Sequence, residues 1–313
     1  MSTRVAAIDC GTNSLRLLIA DVSVAAGSLT DVTRCMEIIR LGEGVDQTGR
    51  LSQRALDRMS VALAGYAEHI ARSGVSAVRM VATSATRDAE NSAEFVRRVK
   101  EILGTAPDVL TGDAEARLSF DGATGELAGS GDPGPYLVAD IGGGSTEFVL
   151  GSPGEPVPRA ISVNIGCVRM TERHLRGDPP AAAEIAAATA DIDAALDEAA
   201  AVVPVRQART FIGLAGSVTT VAAIAMDLPG YDASRIHHAR VSAADVHAIT
   251  ERLLGQTRQA RAAIGVMHPG RVDVIGGGAL VLDRIMQRFG FGEVLVSEHD
   301  ILDGIAWSLA RNE

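Results

Sequence analysis

The sequence predicts an α/β protein built from two halves, and three observations carry that reading. Two segments repeat one order of parts: Ala7-Ile8-Asp9-Cys10-Gly11-Thr12-Asn13-Ser14 near the start, and Val138-Ala139-Asp140-Ile141-Gly142-Gly143-Gly144-Ser145-Thr146-Glu147 near the middle. Each reads as an apolar strand, an aspartate, a glycine-containing turn with hydroxyl or amide side chains, and a second strand. Candidate strands and helices alternate through both halves, the pattern of α/β domains. Between the halves, Gly129-Ser130-Gly131-Asp132-Pro133-Gly134-Pro135 has the composition of an interdomain connection. With 313 residues, 47% of them hydrophobic, the chain can bury a sizeable core and exceeds one typical domain.

The first half opens with neighbouring strands over residues 5–8 and 14–22, and a short strand is expected at 38–41. Residues 52–73 place Leu56, Met59, Leu63, Tyr66 and Ile70 on one helical face, with Gly74 as the stop. A buried strand at 77–82 leads into Thr83-Ser84-Ala85-Thr86-Arg87-Asp88. A helix follows over 91–103 with Phe95, Val99 and Ile102 inward, then a strand at 109–110. Gly112-Asp113-Ala114-Glu115-Ala116-Arg117 turns that strand into a helix running towards Gly125.

In the second half, strands are expected at 136–141, 148–150 and 160–164, with a turn-rich connection at 153–158. A long alanine-rich helix spans 181–202, its acidic residues forming a solvated face. The strand at 211–214 ends in Ala215-Gly216-Ser217, where a helix starts. Ser242 is an N-cap for a helix to Leu254. Residues 272–278, ending in Gly276-Gly277-Gly278, read as a tight strand-to-helix turn before a helix over 279–289. The last strand is 293–296, and a closing helix runs from Asp300 to Ala310.

The duplicated turns suggest phosphate binding. Glycine lets backbone N–H groups approach an anion closely, and successive N–H groups in a turn form an anion-holding concavity. An aspartate at the end of each strand can hold a hydrated Mg²⁺, which keeps waters and takes a few carboxylates beside phosphate oxygens. The other reading is two ordinary hairpins with glycine turns. Asp140 resists it, because an aspartate that ends an apolar strand is costly to bury without a task.

Composition narrows the function class. The net charge of −10 argues against nonspecific nucleic-acid binding and against an anionic membrane surface. Lys100 is the single lysine, so any basic track for a polyanion is made of arginine, the better fork for phosphate oxygens. Cys10, Cys35 and Cys167 have an odd count and no metal-like spacing, which suits a reducing compartment. The apolar runs are too short to span a bilayer and the start lacks a signal peptide's pattern, so a cytoplasmic location is expected. The seven histidines show no zinc spacing, and surface or packing roles are expected for them.

Taken in order, the turns at Asp9–Ser14 and Asp140–Glu147, then Gly213-Leu214-Ala215-Gly216-Ser217 and the triple glycine at Gly276, resemble the exopolyphosphatase/guanosine pentaphosphate phosphohydrolase family. Thr83-Ser84-Ala85-Thr86-Arg87 and Gly112-Asp113-Ala114-Glu115-Ala116-Arg117-Leu118 strengthen the match, which covers essentially the whole chain and its short, two-domain type. The resemblance implies two actin-like (ribonuclease H-like) domains facing each other across a cleft. These would be residues 1–128 plus 298–313, with the last helix returning to the first domain, and residues 129–297. It implies inorganic polyphosphate as substrate, with guanosine pentaphosphate as the alternative, Mg²⁺ or Mn²⁺ as cofactor, and a homodimer. Without further C-terminal helical domains, short polyphosphate chains are the expected preference.

Roles carry over by position. Glu115 matches the catalytic carboxylate; the preceding family glutamate is replaced here by Ala114. Arg87 matches the arginine that faces the terminal phosphate. Glu147 and Asp140 match the acidic residues near metal and attacking water, so Glu115, Arg87 and Glu147 are the catalytic candidates and Asp9 and Asp140 the metal candidates. Gly11, Thr12, Asn13, Ser14, Gly142, Gly143, Gly144, Ser145, Gly216 and Ser217 match phosphate-binding positions. Arg16, Arg117 and Arg169 are weaker candidates for substrate contact. The bland alternatives are a surface ion pair of Arg87 with Asp88 or Glu90, and a first-turn helix role for Glu115. A reading from a different class, an ATP-dependent kinase or nucleotide-driven binding module of the same superfamily, is opposed by the Glu115–Arg117 motif.

Overall fold

The most apolar segments of the first half lie at the centre of a sheet. Strand β1 (Thr3–Cys10) runs antiparallel to β2 (Ser14–Ser23), and β2 antiparallel to β3 (Ser28–Ile38). On the other side of β1, β4 (Ala77–Ala82) and β5 (Asp108–Val109) add in parallel, giving the order β3-β2-β1-β4-β5. Ala6, Ile8, Leu15, Leu17 and Ile19 pack under the helix Gln53–Arg72, on Leu56, Met59, Leu63 and Tyr66. Val5, Ala7, Leu18 and Ala20 form the opposite face and meet Ile301, Leu302, Ile305 and Ala306 of the helix Ile301–Arg311. Burial on both faces explains why β1 reads as a nearly continuous apolar run.

The second half builds its sheet on the same plan. Strands β6 (Tyr136–Ile141), β7 (Thr146–Gly151) and β8 (Arg159–Val163) form an antiparallel meander. Next to β6 stands β9 (Thr210–Leu214), in parallel; β10 (Arg240–Ser242) and β11 (Glu293–Val296) complete the order β10-β11-β9-β6-β7-β8. Read from β8, five strands follow the order of the first sheet. An antiparallel meander extended by parallel strands is the arrangement of an actin-like domain, and it occurs twice.

The computed structural model describes residues 2–125, 127, 131–152 and 159–311. The expected connection at 153–158, and residues 129–130 of the interdomain segment, lie outside the described residues. The chain separates into a unit of Met1–Gly122 with Asp300–Glu313 and a unit of Ala123–His299.

Three sequence expectations change. No strand spans 38–41: the strand there is β3, which starts at Ser28 and ends at Ile38, and its polar, charged sequence suits an exposed sheet edge and hides its strand character. Residues 272–278 form no strand: the helix Ile275–Phe289 begins before the glycines and contains all three. The glycines serve close packing instead, since a Cβ on Gly278 would lie 2.1 Å from Ser217 Oγ and one on Gly277 2.8 Å from Cys167 O. The acids of the helix Ala182–Val202 do not form a solvated face alone: Asp191 pairs with Arg173 and Asp193 with Arg284.

Candidate active site

In each unit the candidate residues sit at the carboxyl ends of the parallel strands, the edge where open α/β sheets bind ligands. In the first, β1 ends in the Gly11–Ser14 turn, β4 in the helix Ser84–Asp88, and β5 in the helix Gly112–Thr124. In the second, β6 ends in the Gly142–Ser145 turn and β9 in the helix Ala215–Ala225.

The first turn is a two-residue hairpin closed by Gly11 N–H donating to Ser14 O at 2.9 Å. The carbonyls of Thr12 and Asn13 are turned back into the fold, accepting from Gly42 at 2.8 Å and from Ile39 and Arg40 at 3.0 and 2.8 Å. The N–H groups of Thr12 and Asn13 donate to no acceptor among the described residues. Thr12 Oγ1 and Ser84 Oγ share a buried hydrogen bond of 2.8 Å that joins the turn to the end of β4. Asp9 is 3% exposed. Burial raises its carboxyl above the usual range, against the opposing charge of Arg16. Arg16 donates from Nε at 3.0 Å and from Nη2 at 2.7 Å, both to Asp9 Oδ2. Asp9 Oδ1 is buried and has no hydrogen-bond partner among the described residues.

Arg87 and Glu115, 28 residues apart, meet at 2.9 Å through Nη1 and Oε2, and the same Nη1 donates to Leu110 O at 3.0 Å. Glu115, 7% exposed, lies in the first turn of the helix Gly112–Thr124, where the helix dipole favours an anion. The suggested surface partner Glu90 pairs with Arg50 instead. Arg117 is exposed, and its side chain makes no hydrogen bond or ion pair among the described residues.

The second turn repeats the closure, with Gly142 N–H donating to Ser145 O at 3.0 Å. Here the carbonyls are held by a helix. The first N–H groups of Cys167–Arg173 reach them, Cys167 to Gly142 O at 3.0 Å and Val168 to Gly143 O at 2.8 Å. Arg169 adds its Nε to Gly144 O at 2.6 Å, so it braces the turn. The N–H groups of Gly143 and Gly144 donate to no acceptor among the described residues. Close approach demands Gly166, where a Cβ would come within 2.5 Å of Gly143 C. Asp140, 8% exposed, stands directly across the ladder from Glu147, 2% exposed. Glu147 Oε1 accepts from Ser145 Oγ and Ser162 Oγ, each at 2.7 Å.

Beside this turn, Ala215 takes a left-handed φ of 69° where β9 becomes a helix, a strained conformation for a residue with a Cβ. Gly216 lies under the guanidinium of Arg271: a Cβ there would be 2.3 Å from its central carbon. Ser217 lies between Cys167 and Gly278.

Sequence reading missed Arg271, Ser84, Ser162 and Asp300. Signals were present for Ser84, inside the segment Thr83–Arg87 that carries the family resemblance, and for Asp300, at the start of a predicted helix. Burial raises the thiol pKa of Cys10 and Cys167. His237, His238 and His299 come together, with ring centroids 3.8 and 4.5 Å apart, yet no metal-binding group of three or more ligands occurs among the described residues. No helix among them is long and apolar enough to cross a membrane.

Comparison with known proteins gives the family. The chain is 50% identical to exopolyphosphatase 2 of Mycobacterium tuberculosis, an alignment covering 98% of this chain and 99% of that protein. The crystal structure of an exopolyphosphatase-like protein superposes with a TM-score of 0.93 at 44% identity, covering 99% of both chains. The Ppx/GppA enzyme of Aquifex aeolicus superposes with a TM-score of 0.79 at 31% identity, covering 98% of this chain and all of that one. The sequence profile of the Ppx/GppA phosphatase family matches residues 19–313, so the chain belongs to that family.

Proposed function

We propose that this phosphatase is an exopolyphosphatase, removing the terminal phosphate of inorganic polyphosphate by hydrolysis. The observation that carries the reading is the Arg87–Glu115 pair, a largely buried carboxylate held at 2.9 Å by a guanidinium at a helix start. Phosphoryl transfer to water asks for an oriented base and for charge compensation, and this pair offers both. The name of the Mycobacterium relative supports polyphosphate as the substrate.

Glu115 accepts a proton from the attacking water. The water oxygen bonds to the terminal phosphorus as the anhydride P–O bond breaks, and the products are orthophosphate and a chain one unit shorter. Arg87 offsets charge on the transferred oxygens. The N–H groups of Thr12, Asn13, Gly143 and Gly144 serve as donors to phosphate oxygens. Ser145 and Ser162 keep the Glu147 carboxylate oriented.

The donor set suits Mg²⁺ or Mn²⁺. Asp9 Oδ1 is a buried acceptor with no described donor, and Asp140 has a second carboxylate across the ladder. Asp9 and Asp140 are the residues that would hold such an ion, which needs few protein carboxylates because it keeps its waters. When bound it would neutralise phosphate charge. The three cysteines are free, which supports a cytoplasmic location.

The test is phosphate release by purified protein with Mg²⁺ from short polyphosphate, long polyphosphate and guanosine pentaphosphate. Fastest release from short polyphosphate is expected. Preference for guanosine pentaphosphate would reassign the enzyme as its 5′-phosphatase. Phosphoryl transfer from ATP to an acceptor, with no release from polyphosphate, would overturn the reading.

A further inference from the structure

Arg16 uses its guanidinium in an unusual way. An arginine beside a carboxylate ordinarily spreads two donors over the two oxygens. Here Nε and Nη2 both fall on Asp9 Oδ2, while Nη1 reaches across 284 positions of sequence to Asp300. The outcome is that Asp9 Oδ1 is left buried with no hydrogen-bond partner among the described residues.

Asp300 is itself firmly placed. It caps the helix Ile301–Arg311: its Oδ1 accepts from Leu302 N–H at 3.0 Å, and its own N–H donates to Asp303 Oδ2 at 2.9 Å. Asp303 is gripped by Arg34 from β3, with Nη2 to Oδ1 at 2.6 Å. The backbone of Asp300 also lies directly on the helix that carries Glu115, for a Cβ on Gly122 would come within 1.8 Å of Asp300 O. With Oδ1 committed to the cap, Oδ2 is the oxygen that takes the third arm of Arg16.

We infer that Asp300 is a positioning residue: it anchors Arg16 so that the guanidinium covers one oxygen of Asp9 and reserves the other for a hydrated divalent cation. This rests on the reading of Asp9 as a carboxylate serving such an ion. Loss of the Asp300 contact removes the hold on Nη1 that keeps the guanidinium out of the two-oxygen fork, the geometry that would compete with the cation. Asp300 touches neither substrate nor cation, and it acts through Arg16.

The experiment measures Mn²⁺ binding to the substrate-free protein by the electron paramagnetic resonance of free Mn²⁺, alongside the Mg²⁺ dependence of turnover. Asp300→Asn is expected to weaken Mn²⁺ binding roughly tenfold, the scale on which lost outer partners act, and to raise the Mg²⁺ requirement in parallel. Ser308→Ala is the control on the same helix; it removes the 2.7 Å contact with Arg79 and is expected to leave Mn²⁺ affinity unchanged. If Asp300→Asn fails to fold, Arg16→Lys replaces it, since one ammonium cannot bridge both carboxylates, and the same tenfold loss is expected. Wild-type Mn²⁺ affinity in a folded Asp300→Asn or Arg16→Lys variant would overturn the inference alone. Absence of Mn²⁺ binding and of metal-dependent turnover in the wild type would overturn the reading of Asp9 and the inference with it.

Discussion

The two glycine hairpins share a backbone and differ in the residue across the ladder from their aspartate. Both close with a glycine N–H on the serine carbonyl three residues later, at 2.9 and 3.0 Å. In the first, Asp9 faces Arg16; in the second, Asp140 faces Glu147. The duplicated turn thus supplies N–H donors in both units, while one cross-strand position sets the electrostatics. The first unit balances its buried carboxylate with an arginine. The second sets two carboxylates opposite each other, with Ser145 and Ser162 donating to Glu147. Bracing differs as well. The second turn is pinned by the helix Cys167–Arg173, and the first is tied mainly to residues 39–42 and Ser84.

The largest effect is expected at Glu115. Glu115→Gln keeps the shape and removes the base, so turnover should fall by about 10²–10⁴-fold with substrate binding retained. Wild-type turnover in this variant would remove the assigned chemistry from the first unit altogether.

The aspartates come next. Asp9→Asn weakens the partner of a mostly buried Arg16, and a stability loss of about 1–3 kcal/mol is expected. Asp140→Asn is expected to lose turnover, with partial rescue by high Mg²⁺. The denaturant midpoint of the first variant and the Mg²⁺ titration of the second check these outcomes. An unchanged midpoint in Asp9→Asn would mean that its pairing with Arg16 contributes nothing to the first hairpin.

Bracing can be tested at glycines. Gly166→Ala drives a methyl into the backbone of the second turn and should cost about 1–3 kcal/mol. At Gly11 the nearest atom to a new Cβ is 3.5 Å away, so Gly11→Ala should change stability by less than about 0.5 kcal/mol. A large loss in both would show the first turn to be as tightly enclosed as the second.

The smallest effect lies outside both hairpins and calibrates them. His247 on the helix Ala243–Gly255 contacts buried Asp283 at 3.0 Å, and that hydrogen bond and charge raise its pKa. A raised histidine stabilises fully below its unfolded value of about 6.5 and loses that contribution as pH climbs through the folded value. Wild type should therefore exceed His247→Gln in melting temperature more at pH 6 than at pH 8. The imidazole is half exposed, so salt should shrink the difference. No pH dependence of the difference would show that the contact contributes nothing.

Much of the fold could be read directly. Strands such as Tyr136–Ile141 and Ala77–Ala82, apolar because both faces are covered, lie where their composition places them. The helix Gln53–Arg72 follows from its apolar stripe and from Ser52, which accepts Ala55 N–H at 3.2 Å. Edge strand β3 was hidden because solvent on its outer side permits Asp31, Arg34 and Glu37 in an extended segment. The triple glycine misled because glycine usually ends a helix; here it opens one, for the sake of close packing against Cys167 and Ser217.

What the sequence determined by itself was the local chemistry: two turns rich in backbone donors, each beside a strand-ending aspartate, and a glutamate at a helix start. Those features depend on neighbours a few residues away, within reach of periodicity and capping rules. Tertiary structure decided which charges meet. Arg87 finds Glu115 because β4 and β5 are adjacent and parallel, and Arg16 finds Asp300 because the last helix packs on the first sheet. Strand register placed an arginine opposite one aspartate and a glutamate opposite the other. A one-residue slip would have turned each of those side chains to the other face of its sheet, so the charge pattern belongs to the register and not to the turn.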